Sequence, residues 1–391
     1  MAETYELIAP CHFGMEAVLK REIAGLGYPV LKTEDGKVSF EAEPAGVARA
    51  NIFLRTPERI LVKAAQFRAV TFEELFEKVR SVDWASFIPQ DGRVWVKKAN
   101  SVKSRLFSPS DIQSVVKKAI VEKLKAQYRT DVIPETGPDY PLRISILKDE
   151  VVIGLDSSGE SLHKRGYRTD SVKAPISETL ASAILLLSPW RPDRILVDPF
   201  CGSGTFCIEA AMMACGIAPG MNREFTAEKW TNLIPKRAWY DAVNEAMGQI
   251  TVPQNTDIQG YDIDPAAIRA SRENAKRAGV AEYIHFETRD VKNFSHRKKY
   301  GFVITTPPYG ERIAEAAELP AIYRTLGERF SALDSWSMYM ITSYEKAEEM
   351  IGRKADKNRK IYNGMLKTYL YEFMGPKPPK RERHESSDSD R

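Results

Sequence analysis

The stretch Val197-Asp198-Pro199-Phe200-Cys201-Gly202-Ser203-Gly204-Thr205-Phe206-Cys207-Ile208-Glu209-Ala210-Ala211 decides how the rest of the chain is read. A short apolar run, Arg194-Ile195-Leu196-Val197, meets an acidic residue, then a Gly-x-Gly turn, then an Ala-rich segment of helical pattern. Strand, acidic end, glycine turn and helix, in that order, build a nucleotide-type pocket at the strand tips of an open parallel sheet. Glycine lets the backbone approach a ligand closely, and the following helix offers unpaired N–H groups. Alone, such a turn is a weak signal, because turns use glycine freely. A dinucleotide fingerprint also wants a third glycine; that place holds Cys207, which argues against hydride transfer.

Downstream, strand and helix patterns alternate: 258–262, a helix over 265–278, 284–287, 302–305, a helix over 322–333, 337–342, a helix around 345–351 and a last strand over 365–373. The expectation is a doubly wound α/β sheet with an antiparallel last strand. Asp198, Asp262 and Asp290 each stand where a strand ends, and parallel strands share one edge for their ends, so all three ring the glycine turn. An acidic residue after the second strand, Asp262, suits both hydroxyls of a ribose. The fourth strand instead ends in Thr305-Thr306-Pro307-Pro308-Tyr309-Gly310-Glu311-Arg312. Two successive prolines remove two backbone donors, stiffen the chain and leave carbonyls free to accept. Tyr309 beside them offers a flat ring for a planar group to stack on.

Upstream, residues 1–65 read as a small α+β unit: strands near 5–9, 38–42 and 59–65, helices over 15–26 and 44–54. Residues 66–165 form a second unit, with a helix over 72–79, a strand over 93–99 and a helix over 111–127 capped by Ser110. Its last two strands, 142–147 and 150–156, flank Lys148-Asp149 as a β-hairpin. Lys117 and Lys118 on the polar faces of the 111–127 helix could belong to an ordinary solvated surface. Their coincidence with Lys97, Lys98, Lys103 and Arg105 favours a phosphate-binding face, because polyanions are held by clustered cations. A further helix from 177, or 175, to 187 precedes the sheet, and about 40 residues, 216–257, separate its first helix from its second strand.

The chain has 391 residues, 43% hydrophobic and 28% charged, with a net charge of +4, which bounds it to a multidomain globular protein. Cys11, Cys201, Cys207 and Cys215 follow no zinc spacing and read as buried reduced thiols; no metal is implied. No apolar run reaches membrane-span length, and the first residues lack the pattern of a signal peptide, so the expected compartment is the cytoplasm. Residues 376–391 read as a disordered tail.

Asp-Pro-Phe-Cys-Gly-Ser-Gly-Thr at 198–205, Gly-Tyr-Asp-Ile-Asp-Pro at 260–265 and Thr-Pro-Pro-Tyr-Gly-Glu-Arg at 306–312 together resemble the class I S-adenosylmethionine-dependent amino-methyltransferases. Over 1–375 the chain is similar to the THUMP-domain RNA methyltransferases that modify guanine N2 of bacterial large-subunit ribosomal RNA. His-Lys-Arg-Gly-Tyr-Arg at 163–168 and Ala-Pro-Ile-Ser-Glu-Thr-Leu-Ala at 174–181 resemble that family's junction and pre-sheet helix. The resemblance implies a ferredoxin-like domain (1–65), a THUMP RNA-binding domain (66–165) and a Rossmann-like methyltransferase domain (166–375). It implies S-adenosyl-L-methionine as cofactor and structured RNA, 23S ribosomal RNA, as partner. Asp198, Gly202 and Gly204 would form the cofactor turn, Asp262 would hold the ribose and Asp290 the adenine amino group. Glu178 and Thr179 would close the methionine end, and Thr306, Pro307, Pro308 and Tyr309 would hold the target base. Lys164 and Arg165 join the expected RNA-binding cations. The family usually carries Asn or Asp where this chain has Thr306, and often Lys near Ser177. Two other readings stay open at this point: an N6-adenine DNA methyltransferase, and a non-catalytic RNA-binding or ribosome-assembly protein.

Overall fold

The computed structural model describes residues 4–168, 175–309, 313–363 and 366–379. Gly310, Glu311 and Arg312 of the proline motif, Met365 of the last expected strand and most of the expected tail (380–391) lie outside the described residues.

The N-terminal half runs β1 (Tyr5–Pro10), α1 (Glu16–Gly25), β2 (Val30–Glu34), β3 (Lys37–Ala42), α2 (Pro44–Phe53), β4 (Leu61–Arg68), α3 (Phe72–Ser81), β5 (Arg93–Val102), α4 (Pro109–Tyr128), β6 (Asp139–Leu147) and β7 (Glu150–Asp156). Local chemistry fixes several of these boundaries. Thr71 caps α3 by accepting from the Glu74 N–H (3.1 Å), and Glu74 returns a bond to the Val70 N–H (2.9 Å). α4 starts earlier than its pattern suggests: Ser108 takes the cap position and Pro109 the first turn, so Ser110 lies inside the helix. The β6–β7 hairpin closes on Lys148 (φ 52°) and Asp149 (φ 68°), both in the left-handed region that a two-residue hairpin turn demands.

The strands of this half form one sheet in the order β2-β3-β1-β4-β7-β6-β5. β4 crosses residue 65 and pairs antiparallel with both β1 and β7, so the two N-terminal units share a sheet and a continuous apolar core.

The C-terminal half runs α5 (Glu178–Leu187), β8 (Leu196–Asp198), α6 (Thr205–Ala214), α7 (Lys236–Gly248), β9 (Ile258–Asp262), α8 (Pro265–Arg277), β10 (Ile284–Thr288), β11 (Phe302–Thr305), α9 (Ile313–Ser331), β12 (Ser337–Thr342), α10 (Ala347–Ile351), β13 (Lys357–Asn363) and β14 (Leu366–Phe373). Its sheet has the order β10-β9-β8-β11-β12-β14-β13, parallel through β12 and antiparallel at β14 and β13. This is the expected doubly wound sheet with a longer antiparallel edge.

Ile217 packs against the core of the C-terminal half, but from Ala218 to Ala246 the buried apolar side chains of the next stretch join the N-terminal core instead. Trp230 is fully buried, stacks on Tyr140 (centroids 5.1 Å, planes 9° apart) and donates its indole N–H to the Asp139 carbonyl (2.7 Å). Trp239 stacks on Phe225 (5.2 Å), and α7 lies against α2, where Arg49 forms a two-point bond with Glu245 (2.7 and 2.8 Å). The segment therefore ties the N-terminal sheet to the C-terminal half. Among the described residues no helix is long and apolar enough to cross a membrane.

Candidate active site

The C-terminal ends of β10, β9, β8 and β11 lie side by side, and the glycine turn leaves the middle of that edge. Gly202 (φ 52°) and Gly204 (φ 84°) both sit in left-handed backbone. A Cβ on Gly204 would also lie 2.9 Å from Phe286 Cζ and 3.0 Å from Ser271 Cβ, so conformation and space both demand glycine. The Gly202 N–H donates to Asp262 Oδ2 (3.0 Å), and Asp262 Oδ1 accepts from the Asp264 N–H (2.9 Å). The carboxylate expected at a ribose thus also fastens the turn to β9. Asn274 holds the turn from α8 by donating to the Ser203 carbonyl (3.1 Å), whereas the Ser203 hydroxyl is buried with no partner among the described residues.

Asp198 is 2% exposed, and its Oδ1 accepts from the Phe200 N–H (3.1 Å) and the Thr305 hydroxyl (2.6 Å). Burial pushes its carboxyl up to about 7 in spite of those two bonds. Burial raises the Asp262 carboxyl too. Asp290, just past β10, accepts from the Lys292 N–H (2.9 Å) and pairs with the Lys292 ammonium (3.1 Å), which keeps its carboxyl low. Immediately after Asp262, Ile263 is 69% exposed and gives this edge an apolar surface. Sequence reasoning missed it, although an isolated apolar residue between two strand-tip carboxylates was a readable sign.

On the other side of the turn, β11 pairs with β8 and ends in the proline motif. Thr305 is spent on Asp198, but the Thr306 hydroxyl is buried and has no partner among the described residues. Pro307 is buried, Pro308 exposed and Tyr309 half-buried. Of the carbonyls expected to be free to accept, that of Pro308 takes a bond from within the fold: Tyr323, fully buried on α9, donates its hydroxyl there (3.1 Å) and shares a 2.5 Å bond with the Thr342 hydroxyl. That clamp fixes the outer proline from below.

The third wall is the start of α5. Ser177 caps the helix, accepting from the Leu180 N–H (3.4 Å). Glu178 is 3% exposed; Oε1 lies 3.2 Å from the Arg168 guanidinium, while Oε2 is buried without a partner among the described residues. Burial raises its carboxyl, and Arg168 only partly offsets that. Thr179, expected to meet the cofactor, is fully buried and donates to the Glu58 carboxylate instead, so its hydroxyl serves the junction with the N-terminal half. His12 (3.1 Å) and His163 (3.2 Å) grip the same carboxylate. Burial alone would raise Glu58; the bonds from His12 and His163 outweigh it and hold the carboxyl well below the usual range. No sequence signal joins His12, Glu58 and His163, because only tertiary folding brings them together.

The expected RNA-binding cations divide. Arg165 is 4% exposed, donates to the Leu162 and Arg55 carbonyls (2.5 Å each) and lies 3.6 Å from Glu209; it is a structural arginine beyond the reach of a phosphate. Lys97 is half-buried, donating to the Gly159 carbonyl (2.6 Å) beside the fully buried Asp156, which Arg59 and Arg143 also bind (2.9 and 2.8 Å). It too is corrected to a structural role. Lys98, Lys103, Arg105, Lys117, Lys118 and Lys164 are exposed; Lys117 pairs with Glu135 (3.6 Å), Lys118 with Glu122 (4.0 Å) and Lys164 with Glu160 (3.3 Å).

Known proteins share this arrangement. Residues 6–61 match the RlmL ferredoxin-like domain and 69–156 the THUMP domain. Residues 165–372, more than half of the chain, match the RMKL-like methyltransferase domain. The chain belongs to that family. Among its relatives is the Bacillus subtilis protein YpsC, whose name places it among RNA methyltransferases: 47% identical over 385 residues, covering 98% of this chain and 99% of YpsC. The ribosomal RNA large subunit methyltransferase K/L of Hahella chejuensis is 33% identical over 96% of this chain, which spans about half (54%) of that enzyme. Among solved structures, SMU.472, a methyltransferase by description and complexed with SAH, is 41% identical with a TM-score of 0.90, over 97% of this chain and all of its own. An RMKL-like chain thus carries its strand-tip carboxylates, glycine turn and proline motif on one edge of a methyltransferase sheet.

Proposed function

We propose that this chain transfers a methyl group to an exocyclic base amine of RNA, with guanine N2 of 23S ribosomal RNA as the target, in the cytoplasm. One observation carries the reading: the Thr306 hydroxyl at the tip of β11, on the strand beside the glycine turn, is buried and has no partner among the described residues. An orphaned buried hydroxyl costs about 1–3 kcal/mol, a cost removed when a ligand supplies the partner. An amine held there lies next to the cofactor edge. The THUMP match and the names of YpsC and the K/L enzymes support RNA as the macromolecule.

The cofactor is S-adenosyl-L-methionine, and the residues present suit it. Glu178 Oε2 and the Ser203 hydroxyl are buried, with no partner among the described residues. Glu178 would take the ammonium, Asp262 the ribose hydroxyls and Asp290 the adenine amino group, with Ile263 against the ring face. When bound, the cofactor supplies a methyl already activated by the sulfonium charge, so no covalent enzyme intermediate is needed. The chain's own work is positional. The amine's lone pair is conjugated into its ring, and bonds to Thr306 and the Pro307 carbonyl would aim it. Tyr309 replaces part of the stacking lost when the base leaves its helix. The Tyr323 clamp on Pro308 keeps this platform rigid.

Incubating the protein with methyl-labelled cofactor and either ribosomal RNA or duplex DNA tests the proposal. Label in RNA, abolished by Asp198→Ala, is expected; label only in DNA, or equal label with both proteins, rejects it.

A further inference from the structure

The antiparallel ribbon of β13 and β14 lies outside the site described above. Its strands pair from Lys357 opposite Glu372 to Asn363 opposite Leu366, and β14 also pairs with β12. Tyr369 lies opposite Thr342, the last residue of β12, so the end of β13 and the start of β14 stand on the edge that carries the strand tips. Side chains of directly paired residues, and of residues two apart on a strand, share one face of a sheet. Lys360, Tyr362, Lys367 and Tyr369 therefore form one surface, with Lys360 opposite Tyr369 and Tyr362 opposite Lys367. The Lys360 ammonium stands over the Tyr362 ring (5.0 Å) and the Lys367 ammonium over the Tyr369 ring (5.1 Å). Rings and cations thus alternate, while Ile361 and Thr368 on the opposite face are buried.

Both lysines and Tyr362 (38%) are exposed, and Tyr369 is half-buried. The field of Glu345 reaches Lys367, but neither lysine forms an ion pair among the described residues. The same face runs into the proline motif: Thr342, opposite Tyr369, shares its hydroxyl bond with Tyr323, which holds the Pro308 carbonyl. Two strand spacings, about 10 Å, separate β14 from β11. On the outer side the N-terminal half covers the free edge of β13. His12 Nδ1 lies 3.1 Å from the Tyr362 carbonyl, and a Cβ on Gly14 would lie 3.4 Å from the Lys360 carbonyl. Phe13, between them in sequence, is 44% exposed. Cations alone would suit any acidic surface and rings alone any apolar one. A nucleic-acid strand presents flat bases and phosphates together, and a strand whose base amine reaches Thr306 carries its neighbouring nucleotides over this edge.

We propose that this face of the β13–β14 ribbon grips the RNA nucleotides flanking the methylated base, with Lys360 and Lys367 on their phosphates and Tyr362 stacked on a neighbouring base. This rests on the RNA reading above and deepens it: the methylated base lies in a segment whose neighbour is also unpaired, since a paired base offers no free face to Tyr362.

Steady-state methyl transfer by the full chain from labelled S-adenosyl-L-methionine to protein-free 23S ribosomal RNA tests it. Replacing Lys360 and Lys367 together by Gln should raise KM for RNA roughly tenfold, and the gap to the wild type should close as potassium chloride is added. Tyr362→Ala should raise KM for RNA by a similar roughly tenfold factor, and Tyr362→Phe, which keeps the ring, should match the wild type. In all variants kcat, calorimetric cofactor affinity and the melting temperature should stay at their wild-type values. Wild-type KM for RNA in the lysine and Tyr362→Ala variants, or equal impairment of Tyr362→Phe and Tyr362→Ala, overturns the ribbon and leaves the RNA reading standing. Transfer by the wild type to duplex DNA alone, or to no nucleic acid, overturns both. Wild-type RNA kinetics in every variant, together with binding of poly-glutamate that depends on Lys360 and Lys367, assigns the face to an acidic protein and also overturns the proposal.

Discussion

Thr306 and Asp198 show how single atoms set the site's properties. Thr306 presents a single buried hydroxyl, and in the proposed reaction that one bond orients the amine. Thr306→Val keeps the shape and deletes that bond. Methyl transfer should slow roughly tenfold, with calorimetric cofactor affinity unchanged; a matching loss of cofactor affinity would place Thr306 on the wrong side of the site. Asp198 carries a stability signature. Its carboxyl, ordinarily near 3.8, is raised to about 7 by burial in the fold. Between those values the folded state holds the extra proton, so stability falls as pH rises through the window. Asp198→Asn retains an acceptor for Phe200 and Thr305 but cannot ionise. It should melt higher than the wild type at pH 8, by roughly 2–4 °C for each kcal/mol relieved, and the gap should close at pH 4. A gap independent of pH would show that the buried carboxylate is not the cause.

At the scale of elements, the glycine turn and the start of α5 are the pieces on which the site depends. Gly204→Ala forces a side chain into left-handed backbone and against Phe286. A loss of about 1–3 kcal/mol of stability, together with cofactor binding, is expected in denaturant melts and calorimetry; near-wild-type values would mean that the turn has room to relax. At α5, Glu58 is held low by His12 and His163, so its sign is opposite to that of Asp198. The stability it contributes is full above its ordinary value of 4.5 and is lost as pH falls below that value toward its depressed folded one. The melting gap between wild type and Glu58→Gln should therefore be widest at neutral pH and narrow in acid. The sequence made β8, β9, β11 and β12 readable because each is a short buried run, the first two ending in an acid and β11 in the proline motif. β2 and β13 escaped notice because they are mostly polar edge strands, Val-Leu-Lys-Thr-Glu and Lys-Asn-Arg-Lys-Ile-Tyr-Asn, in which Ile361 is the one fully buried side chain among the described residues, too little to impose alternation. α9 begins at Ile313 rather than 322 because Pro320 is accommodated inside it. α7 was hidden by a buried face made mostly of alanine: Ala238, Ala242 and Ala246 beside Trp239.

At the scale of the whole molecule, what reads as an insertion between α6 and β9 is a brace. Trp230 and Trp239 bury themselves in the N-terminal core, and Arg49 locks α2 to α7. Trp230→Ala removes a fully buried ring and its bond to Asp139, for an expected loss of about 3–5 kcal/mol in denaturant unfolding; a loss under about 1 kcal/mol would mean that the brace carries little. Such long-range packing cannot be read from periodicity, since no local pattern tells a tryptophan which domain it will enter. The same distance problem explains the misplacing of Arg165 and Lys97, whose charges are visible in sequence while their burial is not. The brace and the Glu58 grip fix the N-terminal half against the strand-tip edge, and the central claim of the proposed function is that a base amine of a bound RNA meets Thr306 there, beside the cofactor. Mass analysis of nucleosides from 23S ribosomal RNA, incubated with this protein and S-adenosyl-L-methionine, tests that claim most directly. N2-methylguanosine that appears with the wild type and is lost with Asp198→Ala is the predicted result; N6-methyladenosine instead, or no new methylated nucleoside, would contradict it.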